Sequence, residues 1–220
     1  RRRAFDAALR CHRGPRSAAK AARLNEKRTW PLPQRLGRAS FPAMKATELL
    51  ELRPQGLWCP PAGAFIDPVR PVDRAIVTHG HGDHCRPGSR TLLATPETIA
   101  IAEARYGRTA FAATQAIPAG RPMRLGDATI TLVPAGHVLG SAQVVVEAGG
   151  ARAVVSGDYK RAADPTCAPF EPVPCDLFVT EATFGLPVFR HPPVQDEIAR
   201  LLASVRAQPE RCHAIGAYAL

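Results

Sequence analysis

The sequence lacks any apolar run long enough to cross a bilayer, and no secretory apolar segment follows its N-terminus. It also lacks a CxxC pair, although it contains six scattered cysteines: Cys11, Cys59, Cys85, Cys167, Cys175 and Cys212. This arrangement argues against a disulfide framework and against a zinc knuckle, and it is typical of a reducing compartment. We therefore expect a cytoplasmic protein that does not contact a membrane.

Excess charge is absent from most of the chain, although the net charge is +10. Residues 1–43 contain twelve of the 29 Lys and Arg residues but only two of the 19 Asp and Glu residues, so the rest of the chain is neutral. The overall charge is therefore no evidence that the folded part attracts phosphates. Residues 1–43 also have few large apolar side chains, which predicts disorder.

Three interpretations of this basic leader remain open. It is a nucleic-acid-binding arm, an Arg-rich targeting peptide, or an upstream extension that is not native. We favour the third interpretation because a well-patterned stretch begins at Met44.

Hydrophobic patterns after Met44 predict alternating strands and helices. Glycine pairs and Gly-Asp between neighbouring runs predict hairpins. The predicted strands are residues 75–77, 91–94, 123–125, 129–133, 142–147, 151–155, 177–179 and 212–215, and the predicted helices are residues 96–106 and 194–205. The apolar runs 57–59 and 64–66 flank a predicted hairpin or tight loop at residues 60–63. No internal repeat is evident.

Three histidines and an aspartate are concentrated in HGHGDH, residues 79–84. The stretch follows the apolar run 75–77, and its glycines predict a loop after a buried strand. In such a loop neighbouring side chains can turn toward one point, and neutral imidazoles and carboxylates are ligands for divalent metals of the zinc class. The alternative is a His-rich solvated turn. It fits less well because the histidines are spaced and end an apolar strand.

Two further candidates also follow predicted strands. His137 lies in PAGHVLGS, and Asp158 follows a β-branched run in VVSGDY. Each signal is weak alone, because a lone histidine is more often structural and an aspartate after glycine is usually a turn residue.

The pattern HGHGDH resembles the HxHxDH signature of the metallo-β-lactamase superfamily. This resemblance implies an α+β fold, the αββα sandwich, with metal at the sheet edge. His79, His81 and His137 would hold one ion, Asp83 and His84 a second, and Asp158 would bridge the two divalent ions, for which zinc is expected. Asp67 matches an acidic residue on the preceding strand that orients a ligand; the alternative is an aspartate that simply ends a strand before Pro68.

Longer stretches resemble the β-CASP nuclease branch, and in particular bacterial ligase-associated DNA exonucleases. These stretches are LWCPPAGAFIDPVRPVDRAIVTHGHGDHCRPGS, GHVLGSAQ, SGDYKR and TEATFGLPVFRHP. Glu181 falls on the acidic position that opens the β-CASP insertion, and the resemblance implies catalytic roles for Asp83, Asp158 and Glu181. It implies a metal-dependent phosphodiesterase that processes DNA ends in repair, with DNA and an ATP-dependent DNA ligase as partners.

The same resemblance implies a division of the chain. Residues 44–180 would be the N-terminal part of the metallo-β-lactamase domain, and residues 181–220 the start of a β-CASP domain. Because family members carry further His motifs beyond this point, we expect a truncated fragment that is inactive as a nuclease by itself.

Two questions about substrate binding and function stay open from the sequence. Lys160 and Arg161 follow Asp158 and are candidate phosphate contacts, although basic loop residues are more often only solvated. An RNA 3′-end processing nuclease and a non-catalytic metal-binding module are the competing functions.

Overall fold

The computed structural model describes residues 44–216. The predicted disordered leader, residues 1–43, lies outside the described residues. None of the helices within residues 44–216 has the length and apolar character needed to cross a bilayer.

The first sheet contains six strands in chain order. They are β1 (Glu51–Arg53), β2 (Gly56–Cys59), β3 (Ala64–Ile66), β4 (Arg74–Ile76), β5 (Thr91–Ala94) and β6 (Ala113–Ala116). Strands β1 to β3 are antiparallel, whereas β3 to β6 run parallel. Parallel neighbours end at the same edge of a sheet, so the loops after β3 and β4 lie side by side.

The second sheet contains five strands in the order β11-β10-β9-β8-β7. They are β7 (Met123–Leu125), β8 (Ala128–Pro134), β9 (Ala142–Ala148), β10 (Ala151–Val155) and β11 (Leu177–Val179). All neighbours are antiparallel except β10 and β11. Strands β8, β10 and β11 therefore point the same way and end at one edge.

Helices flank the sheets. Helix α1 (Pro96–Tyr106) begins at the N-cap Thr95, whose side chain accepts a hydrogen bond from the Thr98 backbone N–H, and it stops before Gly107. Helix α2 is Val194–Ala207, and short 3-10 turns occupy Ala46–Glu48 and Pro60–Ala62.

The main core lies between the two sheets. Alternate residues of β8 and β9 face inward, because side chains on a strand point to opposite faces in turn. They meet apolar side chains of the first sheet, and the buried set includes Ile66, Ile76, Leu93, Ile130, Leu132, Val144 and Val146. A second cluster packs α1 on the other face of the first sheet. These layers agree with the predicted αββα sandwich.

The predicted strands and hairpins are confirmed with three differences. Residues 212–215 form no strand, because a short apolar run needs a neighbouring strand to pair with. Strands β1 and β6 were not predicted, because all of their residues are exposed and neither strand has a buried apolar face.

Truncating Leu132 should test the assigned core. This side chain is fully buried between the sheets. Leu132→Ala should lower the free energy of unfolding by about 2–5 kcal/mol, because it removes apolar contacts and leaves a cavity. Leu52→Ala is the matched control: Leu52 is 84% exposed, so its loss should change stability by no more than about 0.5 kcal/mol. Urea titration measures both, and equal midpoints would contradict the assignment.

Candidate metal centre

The predicted site residues all lie on loops that follow strand ends. Asp67 follows β3 and the HGHGDH loop follows β4, while His137, Asp158 and Glu181 follow β8, β10 and β11. Strands β3 and β4 are parallel in the first sheet, and β8, β10 and β11 point the same way in the second. Within each sheet, the loops that follow these strands therefore lie at a single edge. The two edges meet where the Thr78 carbonyl accepts a hydrogen bond of 2.8 Å from the backbone N–H of Ala142.

Four side chains converge on one point. His79, His81, His137 and Asp158 offer ligand atoms that all lie within 4.8 Å of one another. His81 Nδ1 is 3.0 Å from His79 Nε2 and 3.2 Å from His137 Nε2. Asp158 Oδ2 is 3.8 Å from His79 Nε2 and 3.6 Å from His137 Nε2.

These separations fit a zinc-class cation. Nitrogen ligands at about 2.0–2.1 Å in a tetrahedron stand roughly 3.3 Å from one another, close to the observed nitrogen separations. A proton on His81 Nδ1 could be directed at only one of its two neighbouring nitrogens, whereas a cation satisfies all of them. The donor set therefore fits a divalent metal.

Burial keeps the His79 imidazole neutral, so that it can bind a cation. Its side chain is fully buried, and burial, together with the neighbouring imidazoles of His84, His137 and His81, lowers its pKa to about 2. Burial also lowers the pKa of His137, although Asp158 opposes the shift. Both rings are therefore neutral near pH 7 and keep a free lone pair.

A second group of ligands lies on the other side of Asp158. His84 Nε2 is 3.3 Å from Asp158 Oδ1, so the two oxygens of this carboxylate face different histidines. Asp83 is at the rim: its side chain is 74% exposed, and its Oδ2 is 3.8 Å from His84 Nε2. Of the six predicted ligands, Asp83 is the one that lies furthest out.

Asp67 orients histidines of both groups. Its Oδ2 accepts hydrogen bonds from His84 Nδ1 at 2.8 Å and from the Thr78 hydroxyl at 2.6 Å. Because the Thr78 hydroxyl donates its one proton to Asp67, it must accept from His79 Nδ1, 3.0 Å away. In their neutral forms both histidines thus carry their proton on Nδ1 and present the Nε2 lone pair to a metal.

The protonation of His84 follows from the same neighbours. Burial lowers its pKa, but the hydrogen bond and charge of Asp67, with Asp158 and Asp83, outweigh that effect and raise the pKa overall. In the metal-free protein His84 therefore holds a proton up to a higher pH than an ordinary histidine.

Two residues in this network were not predicted from the sequence. Thr78 links Asp67 to His79, and its position directly before the motif was the available signal. Gly157 has φ +55°, and a Cβ there would lie 2.6 Å from the Thr78 side chain. Glycine therefore allows the loop that bears Asp158 to rest on Thr78.

Glu181 reaches the site from β11. Its Oε1 accepts a hydrogen bond of 3.0 Å from the backbone N–H of Tyr159, the residue after Asp158. Burial raises the pKa of Glu181, but hydrogen bonds from Thr183 and Tyr159 outweigh it and lower the pKa overall. Glu181 lines a cleft of about 340 Å³ together with Asp67, Asp83, His84 and Asp158.

The two basic candidates do not line this cleft. Lys160 Nζ forms an ion pair of 2.8 Å with Asp164 Oδ2, and Arg161 is exposed. Neither is among the described residues that line the cleft.

Comparison with known proteins places these residues in a wider family. The family model described as a beta-lactamase superfamily domain matches residues 49–211. The chain is 34% identical over 144 residues to a probable DNA ligase of Opitutus terrae, which covers 63% of this chain and 14% of that protein.

Two other relatives match shorter stretches. The endoribonuclease ysh1 of Aspergillus fumigatus is 37% identical over 79 residues, 34% of this chain and 9% of that protein. A UPF0173 metal-dependent hydrolase of Halorubrum lacusprofundi is 31% identical over 105 residues, 44% of this chain and 42% of that protein. The chain thus spans less than half the length of each relative.

Replacing Asp67 with asparagine should weaken metal binding while leaving the fold intact. Asp67 has φ +43°, a left-handed conformation that asparagine also tolerates, so the exchange removes mainly the charge and the acceptor pair. Zinc affinity should fall about 10–100-fold, because two histidines lose the partner that sets their tautomer.

Competition with a chromophoric chelator measures that affinity. Asp73→Asn is the control: it makes the same substitution at an exposed carboxylate between β3 and β4. If Asp67→Asn and Asp73→Asn bind zinc equally tightly, Asp67 does not orient the ligands.

Proposed function

This chain belongs to the beta-lactamase superfamily, and on that premise we propose that it is the metal-binding part of a nuclease that hydrolyses phosphodiester bonds at DNA ends. The observation that carries the proposal is its 34% identity over 144 residues to a probable DNA ligase. Ligation needs ends of defined chemistry, and a phosphodiesterase beside a ligase would trim them. DNA and a DNA ligase are the proposed partners.

The proposed cofactor is a pair of zinc-class ions. His79, His81 and His137 would hold one, Asp83 and His84 the other, and Asp158 would bridge them. When bound, such ions supply a hydroxide at neutral pH and offset negative charge on a phosphodiester. This set of imidazoles and carboxylates is the chemistry that zinc prefers in hydrolases.

Neighbouring side chains orient the candidate metal ligands and determine which of their nitrogens carries a proton. Asp67 and Thr78 hold a proton on Nδ1 of His84 and His79, so the Nε2 atoms of both rings point inward toward the ligand groups. Glu181 is ionised near pH 7, as an ordinary glutamate is, and the hydrogen bonds that lower its pKa stabilise its charge at the cleft. Glu181, Asp83 and Asp158 are the proposed catalytic carboxylates.

Lys160 remains a prediction as a phosphate contact, as does Arg161. A phosphate would have to compete with Asp164 for Lys160, because the two are already paired at 2.8 Å. Arg161 is exposed and carries its charge one residue further from Asp158.

RNA is the second candidate substrate. The 37% identity over 79 residues to the endoribonuclease ysh1 favours it. The reaction and the proposed roles of the side chains are the same for both nucleic acids. DNA and RNA of one sequence, compared in a single assay, distinguish them by rate.

Removing the proposed bridging carboxylate should abolish hydrolysis. In the natural full-length protein, Asp158→Ala should slow degradation of end-labelled DNA by about 10²-fold or more, because both ligand groups lose a shared oxygen donor. A chelator should stop the wild-type reaction, and added zinc should restore it.

Asp127→Ala is the matched control, since the Asp127 side chain is 96% exposed on the β7–β8 turn. Its rate should equal that of the wild type. Equal rates for Asp158→Ala and wild type would reject the bridging role. Binding of zinc with no cleavage of DNA or RNA would instead favour the non-catalytic module.

A further inference from the structure

Gln143 is a polar residue at a fully buried position in strand β9. Its neighbours along the strand, Ala142, Val144 and Val145, are buried and apolar. A buried amide costs free energy unless it is hydrogen-bonded, and a valine or leucine would fill the position without that cost. The hydrogen bonds of Gln143 therefore indicate why a polar side chain stands there.

The side-chain nitrogen of Gln143 joins two carbonyl groups. Nε2 donates to the Glu171 carbonyl at 2.7 Å and to the Pro134 carbonyl at 3.2 Å. Oε1 is buried and has no hydrogen-bond partner within residues 44–216. Both protons on Nε2 are thus donated in hydrogen bonds, whereas Oε1 accepts none from the described residues. Gln143 therefore acts here only as a double donor.

The two carbonyls belong to segments next to the proposed ligands His137 and Asp158. Pro134 ends β8 and leads into the His137 loop, residues 135–141. Glu171 lies in the covering segment, residues 160–176, which follows the loop that bears Asp158.

Other contacts join the same two segments. The backbone N–H of Lys160 donates to the Ala135 carbonyl at 3.0 Å, and that of Glu171 donates to the Pro134 carbonyl at 3.2 Å. Gly136, with φ +72°, lies directly against the Lys160 carbonyl and Phe170, so a Cβ would not fit there. The His137 loop and the covering segment therefore form one hydrogen-bonded layer. The Gln143 amide, on strand β9, is bonded to both segments.

We propose that Gln143 is a positioning residue that fixes His137 relative to Asp158 by tying the His137 loop to the covering segment. The two ligand atoms, His137 Nε2 and Asp158 Oδ2, are 3.6 Å apart and come from different strands. Contacts between these segments therefore contribute to that spacing, in addition to the contacts of Thr78 with Ala142 and Gly157. This inference rests on the metal centre proposed above, but it does not depend on the nucleic-acid substrate.

The chemistry of the position favours glutamine over its isosteres. Glutamate would direct an acceptor at two carbonyl oxygens, and methionine has the same length but no donor. Asparagine keeps the amide but is one methylene shorter, so it cannot reach both carbonyls. Each substitution should therefore loosen the His137 loop.

The test compares the melting temperature of the metal-free and zinc-loaded protein. Zinc that binds the folded state raises the melting temperature by an amount that depends on its affinity. Gln143→Met should weaken zinc binding about 10-fold, as expected for a residue that supports a ligand, and should reduce the zinc-induced rise. The cobalt-loaded variant should also show an altered ligand-field absorption spectrum.

Val145→Ala is the matched control, because Val145 is fully buried two residues along the same strand and on the same face. It should lower the melting temperature of both forms but leave the zinc-induced rise unchanged. A merely structural role for Gln143 would give this same pattern. If Gln143→Met does not fold, Gln143→Asn is judged by the same criteria.

The outcomes separate this inference from the proposed function. If zinc does not raise the wild-type melting temperature, the metal centre itself is wrong. If zinc stabilises the wild type and the Gln143 variant equally, Gln143 does not position His137. A reduced rise in the variant together with an unchanged rise in Val145→Ala supports the proposal.

Discussion

The carboxylate of Asp67 is the interaction on which the metal centre depends. It accepts hydrogen bonds from the Thr78 backbone, the Thr78 hydroxyl and His84 Nδ1. Through Thr78 it also sets the proton of His79, the most deeply buried of the clustered histidines. One charged group at the end of β3 therefore decides which nitrogen of two imidazoles remains free. Its left-handed backbone shows that the chain turns sharply at this point to present the carboxylate.

Thr78 extends this constraint to the second sheet. Its carbonyl accepts from the backbone of Ala142 on β9, and its side chain lies against Gly157 on the loop that bears Asp158. The ligand loops of the two sheets thus meet at a single residue. Because the ligands come from both sheets, the centre forms only when the sandwich has packed, and metal affinity should depend on the same core that holds the sheets together.

Beyond residue 43 the chain has no excess of basic side chains, so its net charge does not indicate a basic binding surface. The net charge of +10 comes entirely from residues 1–43, and the remaining chain balances its acidic and basic residues. The cleft is lined by four carboxylates, one histidine and several apolar side chains, with no lysine or arginine among its described lining residues. The phosphodiester proposed as substrate would therefore need cations other than side chains there, which the proposed metal ions would supply.

Local patterns in the sequence determined the secondary structure and the residue types of the site. Glycine turns and apolar alternation predicted both hairpins and most of the strands, because these signals act through neighbouring residues. The HGHGDH motif together with His137 and Asp158 predicted the metal ligands. Tertiary structure alone decided that Asp67 bonds Thr78 and His84, that Glu181 meets Tyr159, and that Gln143 joins the His137 loop to the covering segment. Those contacts depend on strand order and on register, and neither can be read from the spacing of residues along the chain.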